Sequence, residues 1–575
     1  MRDVLIDRWP PRDELGFDGD PSPGPGTPQP QQGSASPVVA AVQRAHAAVV
    51  EAHGRYLARL LGSPVTSNPT DPGSGPGFTA RLDLTGSDPT ELVRGVLLGH
   101  ARRLALADLL PEPSARPRDA ADHHVRLSVP APSGPVTALV QVRDIGLTPR
   151  PYVLADCRLL AESAEVARMV GIGIELVEGP GTHIAATAAP AGRAVARRRC
   201  ADGRRAVINE FHLAHLAEGD ITLAFDVPGR VLARVRPRLP NSDLLMISRS
   251  PDPARPFGRY EPGATLTTEY DVPADPWYLR ENGTPVVPHL AYLETSLQGA
   301  AFLGVSLGMS LEHPEADLVV RNLEGRATLH RTPALVGRTI TQHSTLLSHA
   351  ELPQAVVQRY AYELSLGGEV FYSGETAYGV YPADALGADA GLDGAVPQPP
   401  WLRANPGAGA RTIEARTDPR LGRGRMALLD RVELVPDGGV SGLGYALATA
   451  AIDPDAWYFA RHFHQDPVMP GSFGIEMLHQ AVHAHLLHTP GLADHLPAVR
   501  LAPATGAEFS WSYRGQVLPR HRQVQAEVHL TEISRHGPCL TVRARGSVWR
   551  DGTRVYQAEG IGVTLGPAGT ERELS

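Results

Sequence analysis

The sequence contains no lysine, and all 54 residues in its Lys+Arg total are arginines. Without a lysine amine, the chain cannot form a Schiff base with a carbonyl substrate. It also cannot build a Walker-type phosphate loop, which requires a lysine. Both of these enzyme classes are therefore excluded.

Cysteine is also scarce, with only Cys157, Cys200 and Cys539 in 575 residues. They lie too far apart for a metal-ligand spacing or a disulfide framework, which favours a reducing, cytoplasmic compartment. The first residues, MRDVLIDRWPP, lack the apolar run of a signal peptide, and the apolar stretch from Ala300 to Leu311 is too short to span a membrane. The net charge of −8 offers no overall basic field for nucleic acid.

The length and the Pro/Gly-rich stretches predict several domains. Residues 1–77 are interpreted as linkers around one docking helix at 38–62, and residues 382–410 as a further linker. Between and after them we expect three α+β domains, at 78–205, 206–381 and 411–566.

An internal repeat relates the last two domains. Trp277-Tyr278 corresponds to Trp457-Tyr458. The other matched positions are Pro285, Pro288, Glu294 and Gln298 with Pro467, Pro470, Glu476 and Gln480. Each copy runs from a strand through a Pro-marked loop and an amphipathic helix to long alternating strands, which predicts one helix gripped by an antiparallel sheet. A weaker echo at 166–176 indicates a degenerate third relative.

The segment WYFARHFHQDPVMPGSFGIEMLHQ in the second copy resembles the active-site motif of 3-hydroxyacyl-ACP dehydratases of the beta-hydroxydecanoyl thioester dehydratase type. With PRLPNSDLLMISR and GRMALLDRVELVPDGGVSGLGY, the resemblance is closest to the dehydratase region of polyunsaturated fatty acid synthases and covers most of residues 125–566. It implies a tandem (double) hot-dog fold, preceded by a degenerate hot-dog-like region.

By this resemblance His462 is the catalytic base, and the backbone N–H of Gly471 binds the thioester carbonyl. The first copy has a shorter loop without histidine, and His289 stands at the position of Gly471. In family dimers the histidine of one hot dog works with the acid of its partner. The resemblance therefore implies that Glu294 is the acid for His462, with Glu476 as the alternative acid.

No cofactor is implied. A metal site is not expected either, since His462 and His464 lack an evident third ligand for zinc.

The implied activity is dehydration of (3R)-hydroxyacyl chains on an acyl carrier protein to trans-2-enoyl thioesters, by a hydro-lyase of a polyunsaturated fatty acid or polyketide-type synthase. Isomerisation of the trans-2 product to cis-3 stays open. Expected partners are the carrier protein with its phosphopantetheine-linked acyl chain and other synthase subunits. Helix 38–62 and the stretch Arg193 to Arg205 are candidate docking elements. We expect the two hot dogs to pair within the chain, and a homodimer remains open.

Two alternatives remain. A hot-dog thioesterase would use a helix carboxylate to activate water and would not need His462. A non-catalytic docking module of a synthase would need neither a helix carboxylate nor His462.

Overall fold

The structure is a computed structural model, and it describes residues 77–567 apart from internal gaps. The gaps are 104–105, 107–112, 129–132, 148–149, 163, 179–198, 220, 222–223, 225–234, 253–256, 312, 314, 389 and 493–498. The predicted docking helix 38–62 and residues 193–198 of the arginine stretch lie outside the described residues. The described residues form two compact units.

The first unit holds the described residues before 199, the helix that begins at Glu210 and the short turn at Glu351–Ala355. Its elements are β1 (Gly77–Asp83), α1 (Pro89–Arg103), β2 (Pro113–Pro117), β3 (His124–Leu127), β4 (Pro135–Gly146), β5 (Tyr152–Ala161), β6 (Ala164–Glu178) and α2 (Glu210–Ala217). The strands form one antiparallel sheet in the order β1-β4-β5-β6-β2, with β3 also paired to β6. Helix α1 packs against β5 and β6. This is the helix-and-antiparallel-sheet arrangement predicted for the region.

Alternating burial explains why this sheet forms. In β4, every second residue from Val136 to Val142 is buried, because successive strand side chains point to opposite faces. Helix α1 buries Val93, Val96 and Leu97 against the covered face.

The second unit contains both copies of the repeat. The first copy comprises β7 (Thr265–Asp271), α3 (Trp277–Arg280), α4 (His289–Ser306), β8 (Leu318–Leu329), β9 (Thr339–Leu352), β10 (Ala355–Leu366) and β11 (Glu369–Pro382). After α5 (Trp401–Ala404), the second copy comprises β12 (Arg411–Glu414), β13 (Arg431–Val435), β14 (Tyr445–Ala451), α6 (Trp457–Arg461), α7 (Gly471–His488), β15 (Val499–Pro503), β16 (Glu508–Tyr513), β17 (Gln523–His536), β18 (Cys539–Arg550) and β19 (Thr553–Pro567).

One 13-stranded sheet runs through both copies, in the order β12-β13-β14-β17-β18-β19-β16-β8-β11-β10-β9-β7, with β15 on β19. The copies join where β16 pairs antiparallel with β8, from Glu508 opposite Thr328 to Ser512 opposite Glu324. We call this junction, together with the contact between α4 and α7, the seam. Each long helix lies against the strands of its own copy. The predicted tandem hot-dog fold is confirmed.

The seam has local two-fold character, because equivalent residues of the two copies meet there. The rings of Trp277 and Trp457 lie 5.1 Å apart, edge to face. The guanidinium of Arg425 covers both rings, at 4.6 and 5.4 Å from their centroids, an attractive cation–π geometry.

Both long helices are buried almost all round. In α4 only Ala301 is not fully buried, and in α7 the residues from Ser472 to Leu486 are buried. A helix of this kind is ordinarily apolar on every side. The buried Glu294 and Glu476 on these helices are therefore exceptions that need polar partners.

Residues 382–410 connect the two copies, and their described part is packed against the second copy. The indole Nε1–H of Trp549 donates to the Gln398 carbonyl at 2.6 Å, and the Trp401 N–H donates to Glu527 at 2.7 Å. Leu402 is buried in a small cluster with Tyr445. The segment is thus a connection, as its composition predicts, but it is fixed to the sheet.

Among the described residues, no helix is both long enough and apolar enough to cross a membrane.

Candidate active site

A pocket at the seam receives side chains from both copies. His462 and Gly471 come from the second copy and Glu294 from the first. The remaining lining is largely apolar and includes Leu239, Leu297, Val305, Met309, Val320, Phe463, Val468 and Met469. Three of the four site residues predicted from the sequence are therefore brought together, and Glu476 is not among the lining residues.

His462 follows α6 and begins the loop that leads to α7. Its Nδ1 lies 2.9 Å from the Val468 carbonyl oxygen. A carbonyl only accepts hydrogen bonds, so Nδ1 carries the proton and Nε2 keeps a lone pair. Burial lowers the pKa of His462 to about 4, because the charged imidazolium loses its hydration. The ring is therefore a neutral base at physiological pH.

Glu294 lies on α4 and is almost fully buried, with 4% of its surface exposed. One carboxyl oxygen accepts from Gln298 Nε2 at 2.7 Å, and the other is bonded to the Ser472 hydroxyl. Burial raises the pKa of Glu294, and these two hydrogen bonds oppose that shift without cancelling it. A carboxyl group in this state retains its proton to higher pH than usual.

Gly471 is the first residue of α7 and follows Pro470. The first N–H groups of a helix lack intrahelical partners and lie at the positive end of the helix dipole. A Cβ atom on Gly471 would stand 2.7 Å from the ring of Tyr513. Any other residue would force the ring or the backbone to shift, whereas glycine leaves the backbone of the helix start open to the pocket.

Glu476 occupies the equivalent position across the seam. Its carboxylate accepts the backbone N–H of Leu290 at 3.2 Å, and burial raises the pKa of Glu476 to about 8. His289, the counterpart of Gly471, stacks on His479 at 4.8 Å and packs edge-on against Phe509. These rings occupy the place where the other copy has an open glycine.

The two glutamates contact the opposite helix in equivalent places. Glu294 bonds to Ser472, the second residue of α7, and Glu476 bonds to Leu290, the second residue of α4. Each helix carboxylate thus faces the start of the helix in the other copy. Because Glu294 reaches across the seam in this way, it lies in the same pocket as His462.

Sequence reasoning missed Arg321 and Gln516 in the pocket lining. Arg321 lies on β8 of the first copy and pairs with Asp466 in the loop of His462. No local motif marks this residue, because its partner Asp466 is 145 residues away in the sequence.

Residues 421–559 match the model of the FabA-like domain family. The predicted resemblance to dehydratases of this type is confirmed. The chain is also similar to a polyunsaturated fatty acid synthase polypeptide of Thraustochytrium sp. (strain ATCC 26185 / S-3), at 34% identity over 330 residues. That alignment covers 52% of this chain and 21% of the relative, so the chain spans about a fifth of the relative's length.

Two solved structures are similar at lower identity. A trans-AT polyketide synthase dehydratase domain from Brevibacillus brevis is 13% identical, with a TM-score of 0.32, over 53% of this chain and 94% of that one. A 12:0-ACP thioesterase from Umbellularia californica is 9% identical, with a TM-score of 0.31, over 52% and 93%. Similarity at this level does not decide between the two activities.

Proposed function

We propose that the chain is a dehydratase that converts (3R)-hydroxyacyl thioesters on an acyl carrier protein to trans-2-enoyl thioesters. The observation that carries the proposal is the content of the seam pocket. A neutral imidazole, a carboxyl group with a raised pKa and an open helix start face one largely apolar space.

Each group suits one part of the reaction. The thioester carbonyl binds at the Gly471 N–H, where the helix dipole stabilises the negative charge that develops on oxygen. Nε2 of His462 removes a proton from C2, and the protonated carboxyl of Glu294 gives its proton to the leaving 3-hydroxyl, which departs as water. A positioned acid or base contributes roughly 10²–10⁴ in rate.

The cycle closes when the imidazolium of His462 loses its proton and the carboxylate of Glu294 regains one. A thioesterase would instead need a helix carboxylate that is ionised, so that it can activate water. The raised pKa of Glu294 favours dehydration over that alternative.

The proposal extends to the partners. The substrate arrives on the phosphopantetheine arm of a carrier protein, and the apolar lining receives the acyl chain. The similarity to a synthase polypeptide supports other subunits of a polyunsaturated fatty acid or polyketide-type synthase as neighbours.

Mass spectrometry of a 3-hydroxyacyl carrier protein incubated with the full chain tests the proposal. Loss of one water from the carrier-bound acyl group is expected, and His462→Ala should abolish it. Release of free acid would indicate a thioesterase, and an unchanged acyl group would indicate a docking module. Either result would overturn the dehydratase proposal. A product of the same mass with its double bond moved to cis-3 would add isomerisation.

A further inference from the structure

The loop that carries His462 is held by an arginine of the other copy. Arg321 Nη1 and Nη2 donate to the two carboxylate oxygens of Asp466 at 2.6 and 2.7 Å. Arg321 Nε and Nη2 also donate to Gln516 Oε1, at 3.1 and 2.8 Å. Both charged side chains are mostly buried, with 15% and 11% exposed. A buried, two-pronged arginine–carboxylate pair fixes direction as well as distance.

The loop conformation that this pair holds is the one that orients the histidine. Asp466 lies between His462 and Val468, whose carbonyl accepts the Nδ1 proton. Gln465, next to Asp466, has a φ of 64°, a left-handed conformation that is uncommon for a residue other than glycine. Such a backbone persists where its surroundings impose it.

We propose that Arg321 is a positioning residue of the seam pocket, which fixes the His462 loop through Asp466 so that the imidazole Nε2 faces the pocket. The inference rests on the proposed function for its catalytic readout. With Arg321, the first copy supplies a second functional side chain, besides Glu294, to the pocket of His462.

The equivalent place in the first copy lacks this pair. Thr284 precedes Pro285 as Asp466 precedes Pro467, and its hydroxyl donates to the Leu501 carbonyl across the seam at 3.1 Å. Arg500 lies on β15 next to Leu501, and among the described residues it pairs with no carboxylate. The loop that contains the histidine is therefore held by the Arg321–Asp466 ion pair, which we call the clamp, whereas the loop without a histidine makes only a neutral hydrogen bond.

The pair also sets the charge beside the imidazole. Arg321 lowers the pKa of His462 and Asp466 raises it, both less strongly than burial lowers it. Removing Arg321 alone leaves an unpaired carboxylate near the ring and should raise the pKa of His462. The other titratable groups that line the pocket are Arg238, Glu294, Tyr378, Tyr513 and Tyr556.

The test compares Arg321→Met, Arg321→Lys, the double variant Arg321→Met/Asp466→Asn and the control Arg500→Met, which removes an arginine of β15 that does not line the pocket, all in the full chain. For Arg321→Met we expect kcat to fall about ten-fold or more with KM little changed, since the base is misplaced while substrate contacts remain. Arg321→Lys keeps the charge but not the fork and should recover part of kcat. Arg500→Met should retain wild-type kcat.

An NMR titration of His462 gives a readout that needs no turnover. Arg321→Met should raise the His462 pKa by on the order of one unit, and the double variant should bring it back towards the wild-type value. Thermal unfolding identifies variants that fail to fold. If Arg321→Met is among them, Arg321→Lys and the double variant are compared with the wild type instead.

A folded Arg321→Met with wild-type kcat and an unshifted His462 pKa would overturn the clamp, as would an equal loss of kcat in Arg500→Met. If the wild-type chain does not dehydrate the substrate, the proposed function fails. The His462 titration then tests by itself whether Arg321 positions the His462 loop.

Discussion

The two copies in the second unit keep the same helix carboxylate but differ in the loop and in the first helical residue. The second copy has His462 and Gly471, whereas the first has a shorter loop and His289. Because the glutamates face across the seam, Glu294 of the first copy lies in the pocket of His462, although the first copy has no histidine in the corresponding loop. The comparison teaches that conservation of a residue type within a repeat need not mean that both copies contain a complete site.

The largest expected difference separates the two glutamates. Glu294→Gln removes the proton donor from the pocket and should lower kcat by roughly 10²–10⁴. Glu476→Gln changes a carboxyl group outside the pocket and should leave kcat near the wild-type value. Single-turnover dehydration of a 3-hydroxyacyl carrier substrate measures both, and loss of turnover only in Glu476→Gln would show that the acid comes from the same copy as His462.

The helix starts offer the next contrast. Gly471→Ala places a Cβ atom 2.7 Å from the Tyr513 ring, so the backbone or the ring must shift and the thioester carbonyl loses its aligned N–H. We expect a fall in kcat/KM of about 10²-fold, the order seen when one oxyanion donor is lost. His289→Ala, at the equivalent position, should not reduce turnover. Equal losses in both variants would contradict an asymmetric seam.

The pH profile of kcat/KM should have an acid limb set by His462 and an alkaline limb set by Glu294. His462 must be neutral, so activity should fall only below its lowered pKa of about 4. Glu294 must be protonated, so activity should fall as pH rises through its raised pKa. Glu476→Gln serves as the control and should shift neither limb. An acid limb near the ordinary histidine pKa of 6.5 would show that the imidazole is not desolvated as described.

The last comparison concerns stability rather than activity. Because the folded pKa of Glu476 is raised from 4.5 to about 8, the folded state holds this proton more tightly than the unfolded chain. Its contribution to stability is therefore present below about pH 4.5 and is lost as pH rises towards 8. Glu476→Gln removes that dependence. Its Tm relative to the wild type should rise between pH 5 and pH 8, and a constant difference would show that Glu476 ionises normally.

The sequence allowed much of the fold and most of the site to be predicted, because the relevant signals are local. The spacing from Trp457 to Pro470, and from there to Glu476, lies within one segment and marks the loop, the helix start and the helix carboxylate. The assignment of Glu294 to the pocket of His462 rested on the dimers of the resembled family and on the missing histidine in the shorter loop, and its catalytic role stays a prediction.

Long-range pairing was not accessible in the same way. Arg321 and Asp466 are 145 residues apart, and their contact depends on the register of β8 against β16. The composition of a segment also says nothing about which other elements that segment contacts. It identified residues 382–410 as a linker, but the packing of Trp401 and Leu402 depends on Glu527 and Tyr445 in other elements.

The covalent connection between the copies has a further consequence. Where two hot dogs on separate chains form one pocket between them, dilution separates the chains and removes the pocket. Here the packed 382–410 segment makes their association unimolecular, with a high effective concentration of one copy for the other. Under the proposed function, specific activity should then be independent of protein concentration.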